Sequence, residues 1–169
     1  MIFAIVFAAY NAVWFGWSRI RYGKLTDGME KADFSSFIVP RYIFTDDEGY
    51  DYLVKYPDYL SFSGNMSVGL PAVNENPFRD ALNIWPKING QYELGVLLYD
   101  ADGSQYAVYI DDEGNALSEE DKEAVSRHKE AIKDLLNKAD EKWSILEPRR
   151  ESRVPNRFMI EEIKTCWNY

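Results

Sequence analysis

The chain has one cysteine, Cys166, and one histidine, His128, among 169 residues. A lone cysteine excludes an internal disulfide framework. A lone histidine leaves at most one base for any Ser-His-Asp or Cys-His arrangement. The two residues fall on different expected elements and give no neighbouring pair of zinc ligands. Glycine is scattered: Gly64, Gly69, Gly90 and Gly95 form no phosphate-cradling loop. Positive charge is also scarce, with 19 Lys and Arg against 28 Asp and Glu for a net −9.

That charge is unevenly spread. Residues 1–24 carry Arg19, Arg21 and Lys24 and no acid, whereas 25–146 hold 11 basic against 24 acidic residues, a net −13. Residues 147–169 return to +1. An acidic body repels phosphate backbones, so nucleic acid is excluded as a partner. The same charge argues against a lipid-headgroup pocket inside the domain.

The acidic turns do not make calcium loops. An EF-hand needs glycine at position 6 and a carboxylate at 12. Counting from Asp100 puts Gln105 at position 6, and counting from Asp111 puts Ala116 there. Hairpin-turn chemistry accounts for these residues, including the DDEG that recurs at 46 and 111. A general acid requires a buried carboxyl in a cleft. The apolar runs contain no isolated acid, and Glu93 alternates to the side opposite Leu94, where exposure is expected. No catalytic, cofactor-binding or metal-ligating residue is assigned.

What the chain does have is a greasy start. MIFAIVFAAYNAVWFGW is free of charged side chains, and with Ser18 to Ile20 it reaches the length of a membrane span. Residues 1–20 are therefore expected to be a single-pass transmembrane anchor in a lipid bilayer. Trp14, Trp17, Arg19 and Arg21 would form its interfacial belt. The positive charges after it place the following domain in the cytoplasm, and an upstream N-terminus with basic residues of its own would reverse that orientation. Residues 21–37 read as a juxtamembrane connector with a short helix over Asp27 to Phe34.

The domain proper, 38–146, alternates at the strand period. Strands are expected over Ile38–Phe44, Tyr50–Tyr56, Tyr59–Val68 with a bulge at Gly64, and Ala81–Ile88 pushed toward an edge or a bulge by Pro86. Asn89-Gly90 then turns the chain into the next pair. In that pair Tyr92, Leu94, Val96 and Leu98 share a face with Tyr106, Val108 and Ile110. Even opposite even requires an odd loop, which Ala101-Asp102-Gly103 supplies. A long amphipathic helix, Ser118–Leu146, follows with Asp121 completing a capping box. Its stripe runs through Ala124, Val125, His128, Ile132, Leu135, Leu136, Ala139 and Trp143. His128 is expected to be half-buried and satisfied by one hydrogen bond.

The reading is an α+β fold: a transmembrane helix, then an antiparallel meander of five to six strands packed by one long C-terminal helix. A partly closed barrel, similar to the pleckstrin-homology layout in element order only, is the alternative. Residues 147–169 read as an Arg/Pro strap and a short amphipathic helix. The irregular stretch 69–80 is a candidate partner-binding loop through Pro71, Asn74, Asn76, Pro77 and Phe78. These features imply a membrane-tethered, non-catalytic interaction module with a protein partner. A carboxylate-based enzyme acting on a polar substrate in the sheet concavity is the competing hypothesis, and it needs two buried carboxyls with shifted pKa values.

Overall fold

A computed structural model describes residues 2–59, 61–71 and 79–146. Helix α1 (Ile2–Gly23) leads into seven strands: β1 (Glu30–Lys31), β2 (Arg41–Thr45), β3 (Asp51–Lys55), β4 (Asn65–Gly69), β5 (Ala81–Pro86), β6 (Tyr92–Tyr99) and β7 (Gln105–Ile110). Each pairs antiparallel with the next, in chain order, so the expected meander is present with seven strands. The order is linear, and among the described residues β1 and β7 do not pair to close a barrel. The extra strand, β1, lies where the connector helix over Asp27 to Phe34 was expected.

Register explains the core. Val54, Met66, Ile84, Leu94 and Ile110 stand opposite one another across five strands, and Tyr52, Val68, Leu82, Val96 and Val108 form a second row. Side chains alternate faces along a strand, so both rows point to one side. All ten are at most 4% exposed. Burial of an aliphatic side chain of this size contributes about 1.5–3 kcal/mol. The rows are covered by Ile132, Leu135, Leu136 and Ala139 of the C-terminal helical segment.

That segment is not the single long helix the stripe implied. It forms α2 (Lys122–Arg127) and α3 (Lys129–Trp143), interrupted at His128, whose backbone leaves the helical region at φ −103° and ψ 15°. The capping box is likewise not made. Asp121 is the N-cap of α2 without a side-chain cap bond, and Ser118 Oγ instead accepts from Glu120 N at 3.2 Å. The interruption coincides with the imidazole being held by two carboxylates from the sheet, described below.

Four turns share one design. In 46–50, 87–91, 100–104 and 111–115 the first and fifth residues pair through the backbone around a three-residue loop ending in glycine. Gly49, Gly90, Gly103 and Gly114 all have φ between +82° and +88°. That left-handed backbone is the one a three-residue hairpin with a glycine bulge needs. In both DDEG turns the leading aspartate, Asp46 or Asp111, accepts from the backbone N–H two and four residues on.

Two strand expectations are corrected. Pro86 does not make an edge: β5 lies between β4 and β6, with the proline as its last residue. The strand expected over Tyr59–Val68 exists only as Asn65–Gly69. Phe62 is drawn away to stack edge-on against Trp17 at 5.4 Å and Tyr10 at 6.1 Å. Gly64 marks a close approach rather than a bulge. A Cβ there would lie 2.2 Å from the Lys55 carbonyl oxygen and 2.9 Å from Pro57 N. Both obstacles are backbone, so Gly64→Ala is expected to destabilise the domain by about 3 kcal/mol or more. Urea titration followed by tryptophan fluorescence would measure the change.

Candidate functional site

The first helix is built in two halves. Its C-terminal half is fastened to the end of the sheet formed by the last residues of β3 and β5. Tyr22 is fully buried in the core, stacks on Tyr56 at 5.5 Å, and its hydroxyl accepts from Gly64 N at 2.6 Å. Trp14 is 3% exposed and its indole donates to Ser61 O at 2.6 Å. Arg19 donates to Phe37 O at 2.9 Å, and Arg21 donates to Lys87 O. At the far end of this contact Trp143 of α3 donates to Leu25 O at 3.0 Å, joining the two helices' C-terminal ends. The residues read as an interfacial belt, Trp14, Trp17, Arg19 and Arg21, thus tie α1 to its own domain.

The N-terminal half stands clear. Ile2, Phe3, Ile5, Val6, Phe7 and Val13 are between 53% and 83% exposed. Residues 2–9 are exposed on every side, so this stem is not an amphipathic helix with one covered face. Folded monomers rarely leave an apolar surface of this extent open. Yet among the described residues no helix is long and apolar enough to cross a membrane. The transmembrane expectation is corrected accordingly. Asn11, Arg19 and Arg21 dilute the run, and the turns that would complete a span are held on the sheet.

The second face of the sheet carries a trough of about 370 Å³ lined by Leu53, Ser67, Gly69, Arg79, Leu97 and Tyr99 among others. Arg79 crosses its rim, paired with Asp51 and donating to Leu70 O at 2.9 Å. Among the described residues Asp51 is the trough's one carboxylate, and it is paired with Arg79. Pro71 of the expected binding loop is half-buried against Gly49, whereas Asn74, Asn76, Pro77 and Phe78 lie outside the described residues.

Among the described residues two carboxylates are buried, and sequence reasoning assigned neither. Glu93 is 8% exposed rather than solvated, and it forms an ion pair with Lys87. Asp80 is 7% exposed and accepts from Tyr99 N at 2.8 Å. Its other oxygen lies 2.6 Å from His128 Nδ1, while His128 Nε2 lies 2.9 Å from Asp100. The imidazole therefore has two carboxylate partners where one hydrogen bond was expected. Burial alone would depress its pKa, but the Asp100 and Asp80 carboxylates outweigh that and the net shift is upward. Asp100 is held below the usual carboxylate range by its hydrogen bond to His128 and then by Arg127. With both ring nitrogens occupied, His128 acts as a pin. It joins the break between α2 and α3 to the start of β5 and the β6–β7 turn.

The chain is thus an α+β domain, a one-layer antiparallel meander covered on one face by helices, with an uncovered apolar stem at one end. No protein-family model, no curated protein and no solved structure matches it.

Proposed function

We propose that this protein is a non-catalytic interaction module held at a lipid bilayer by the stem of its first helix. The observation that carries the reading is the exposure of apolar side chains on every side of residues 2–9. A protein partner would cover a helix along one stripe, whereas lipid covers it all round. Twelve residues, 2–13, span about 18 Å at 1.5 Å per residue. The hydrocarbon core is about 30 Å thick, so the stem fits within it without crossing. Six large apolar side chains at roughly 1.5–3 kcal/mol each favour insertion by on the order of 10 kcal/mol.

A non-catalytic role is supported by the carboxylates. The enzyme hypothesis requires two of them, buried together in a cleft. Asp80 is held by His128 and Glu93 is paired with Lys87, and they sit at opposite ends of the sheet. The acidic body, held at a surface, would present its free end to a protein partner at high local concentration. The test is co-flotation of the purified full chain with phosphatidylcholine vesicles. The expected result is recovery with the vesicles in the upper fractions. Recovery at the bottom of the gradient, as monomer or as a self-associated species, would contradict the reading.

A further inference from the structure

The stem leaves the domain through a ring of exposed aromatic and aliphatic side chains that hold no place in the core. Tyr59 is 42% exposed, lies edge-on to Trp14 at 5.3 Å, and donates its hydroxyl to Asn11 at 2.6 Å. On the other side Phe37 packs on Phe15 at 5.7 Å. Phe34, Phe37 and Ile38 are 68%, 72% and 54% exposed, in a short loop between β1 and β2. Cations are threaded among them. Arg19 lies over the rings of both Phe15 and Phe37, and Arg41 lies 5.3 Å from the Phe34 ring.

Neither the hydrophobic core nor turn geometry explains this loop. Turn tips on the opposite end of the sheet are built from Asp46, Asp47, Glu48, Asp100 and Asp102, as solvated turns ordinarily are. In the β1–β2 loop at the stem end the exposed positions include Phe34, Phe37 and Ile38 instead. Asp33 and Asp58 are the exposed carboxylates in the neighbouring turns, and Asp58 is bound by Lys55 at 2.8 Å. At the stem's end of the sheet, the edge around β1 to β3 is therefore apolar with arginine and lysine around it, whereas the opposite end carries the acidic 46–50 and 100–104 turns. The acidic 111–115 turn shares the stem's end but lies beyond β7, at the far edge of the sheet. An anionic surface attracts the apolar, basic edge and repels the acidic end.

We infer that Phe34, Phe37, Ile38 and Tyr59 form a second contact with the bilayer, seated at the headgroup boundary around the base of the stem. Aromatic rings with nearby arginine suit that boundary, where one end of the group is apolar and the other wet. This inference rests on the proposed bilayer attachment and adds an orientation to it. With a single stem the domain could tumble about its tether. With the collar seated, the strands stand away from the membrane, and the His128 pin and the Arg79 rim face outward.

The test uses the full chain carrying Cys166→Ser and a single environment-sensitive fluorophore. The label is placed at Ile38→Cys, beside the stem, or at Ala101→Cys, at the acidic end. Vesicles are phosphatidylcholine with or without phosphatidylserine, carrying a headgroup nitroxide quencher. Expected is a blue shift and strong quenching at position 38, neither at position 101, and a larger effect with phosphatidylserine. Phe34→Ser with Phe37→Ser should lower vesicle partition about tenfold or more while leaving the thermal midpoint unchanged. Failure of both labelled chains to float would remove the bilayer reading itself. Flotation with equal, weak quenching at 38 and 101 would leave the stem and remove the collar. A lipid-independent blue shift at 38 that grows with protein concentration would assign the patch to a second copy of the chain and overturn the inference.

Discussion

Val6→Glu combined with Phe7→Glu is expected to lower partition into phosphatidylcholine vesicles by roughly a thousandfold. The figure comes from about 2 kcal/mol of lost apolar burial per side chain, about 4 kcal/mol in all. Placing two carboxylates in hydrocarbon adds to it. Both positions lie on the uncovered stem, at 61% and 53% exposure, so the fold should not respond. The thermal midpoint is expected to stay within about 2 °C of wild type, since surface substitutions away from packing contribute little. Trp14→Glu provides the contrast. It lies on the same helix, but it is buried and bonded to Ser61 O, so its effect should appear as loss of the folded domain. Vesicle co-sedimentation and calorimetry of the three proteins would separate the roles of the two halves of α1.

The second large effect belongs to His128. His128→Ala leaves the Asp80 carboxylate buried without the ring nitrogen that holds its second oxygen, and leaving a buried charged acceptor unpaired costs on the order of 3 kcal/mol. The wild-type pH dependence follows from the directions of the shifts. A raised histidine pKa contributes stability that is full below its unfolded value of about 6.5 and is lost as pH rises through the higher folded value. A lowered Asp100 pKa contributes stability that is present above about 3.9 and is lost as pH falls through the lower folded value. Stability is thus expected to be greatest between these ranges and to fall on the alkaline side, as pH rises above about 6.5 and through the higher folded value of His128. His128→Gln should abolish that alkaline fall while retaining a hydrogen-bond donor toward one carboxylate. Urea midpoints measured across the range for both proteins would check it. An alkaline slope that survived the substitution would show that another group titrates there.

The sheet was legible because its information is local. Alternation of apolar and polar residues set which side chains of β6 and β7 share a face. The odd loop Ala101-Asp102-Gly103 set their register, and the structure pairs Leu94 with Ile110 and Val96 with Val108 accordingly. The DDEG turns were equally readable, since an aspartate and a glycine at that spacing build the turn from their own backbone. What escaped is long-range. Nothing near His128 in sequence announces Asp80, 48 residues earlier, or Asp100, 28 residues earlier. The apolar stripe therefore read as continuous through a position where the helix breaks. Glu93 looked exposed by alternation because the face opposite the core rows was taken to be wet, and Lys87 binds it there.

The first helix shows the same limit from the other direction. Hydropathy treats residues 1–20 as one object because it weighs composition without regard to neighbours. The structure divides them at Val13 and Trp14. A tryptophan and an arginine near the end of an apolar run suit a membrane boundary, but they also suit a helix that must bond to a loop, as Trp14 does to Ser61 and Arg19 to Phe37. Only the partners distinguish the two, and those partners lie 47 and 18 residues away in sequence.

The most direct measurement is a spin-label scan of single cysteines from position 3 to position 9, in the Cys166→Ser background and in vesicles, comparing collision with dissolved oxygen and with a water-soluble nickel chelate. Oxygen access is expected to dominate on every face of the helix, with depth increasing steadily toward position 3 by about 1.5 Å per residue. Access repeating every 3.6 residues, or nickel access throughout, would place that stem against protein or in water and contradict the account.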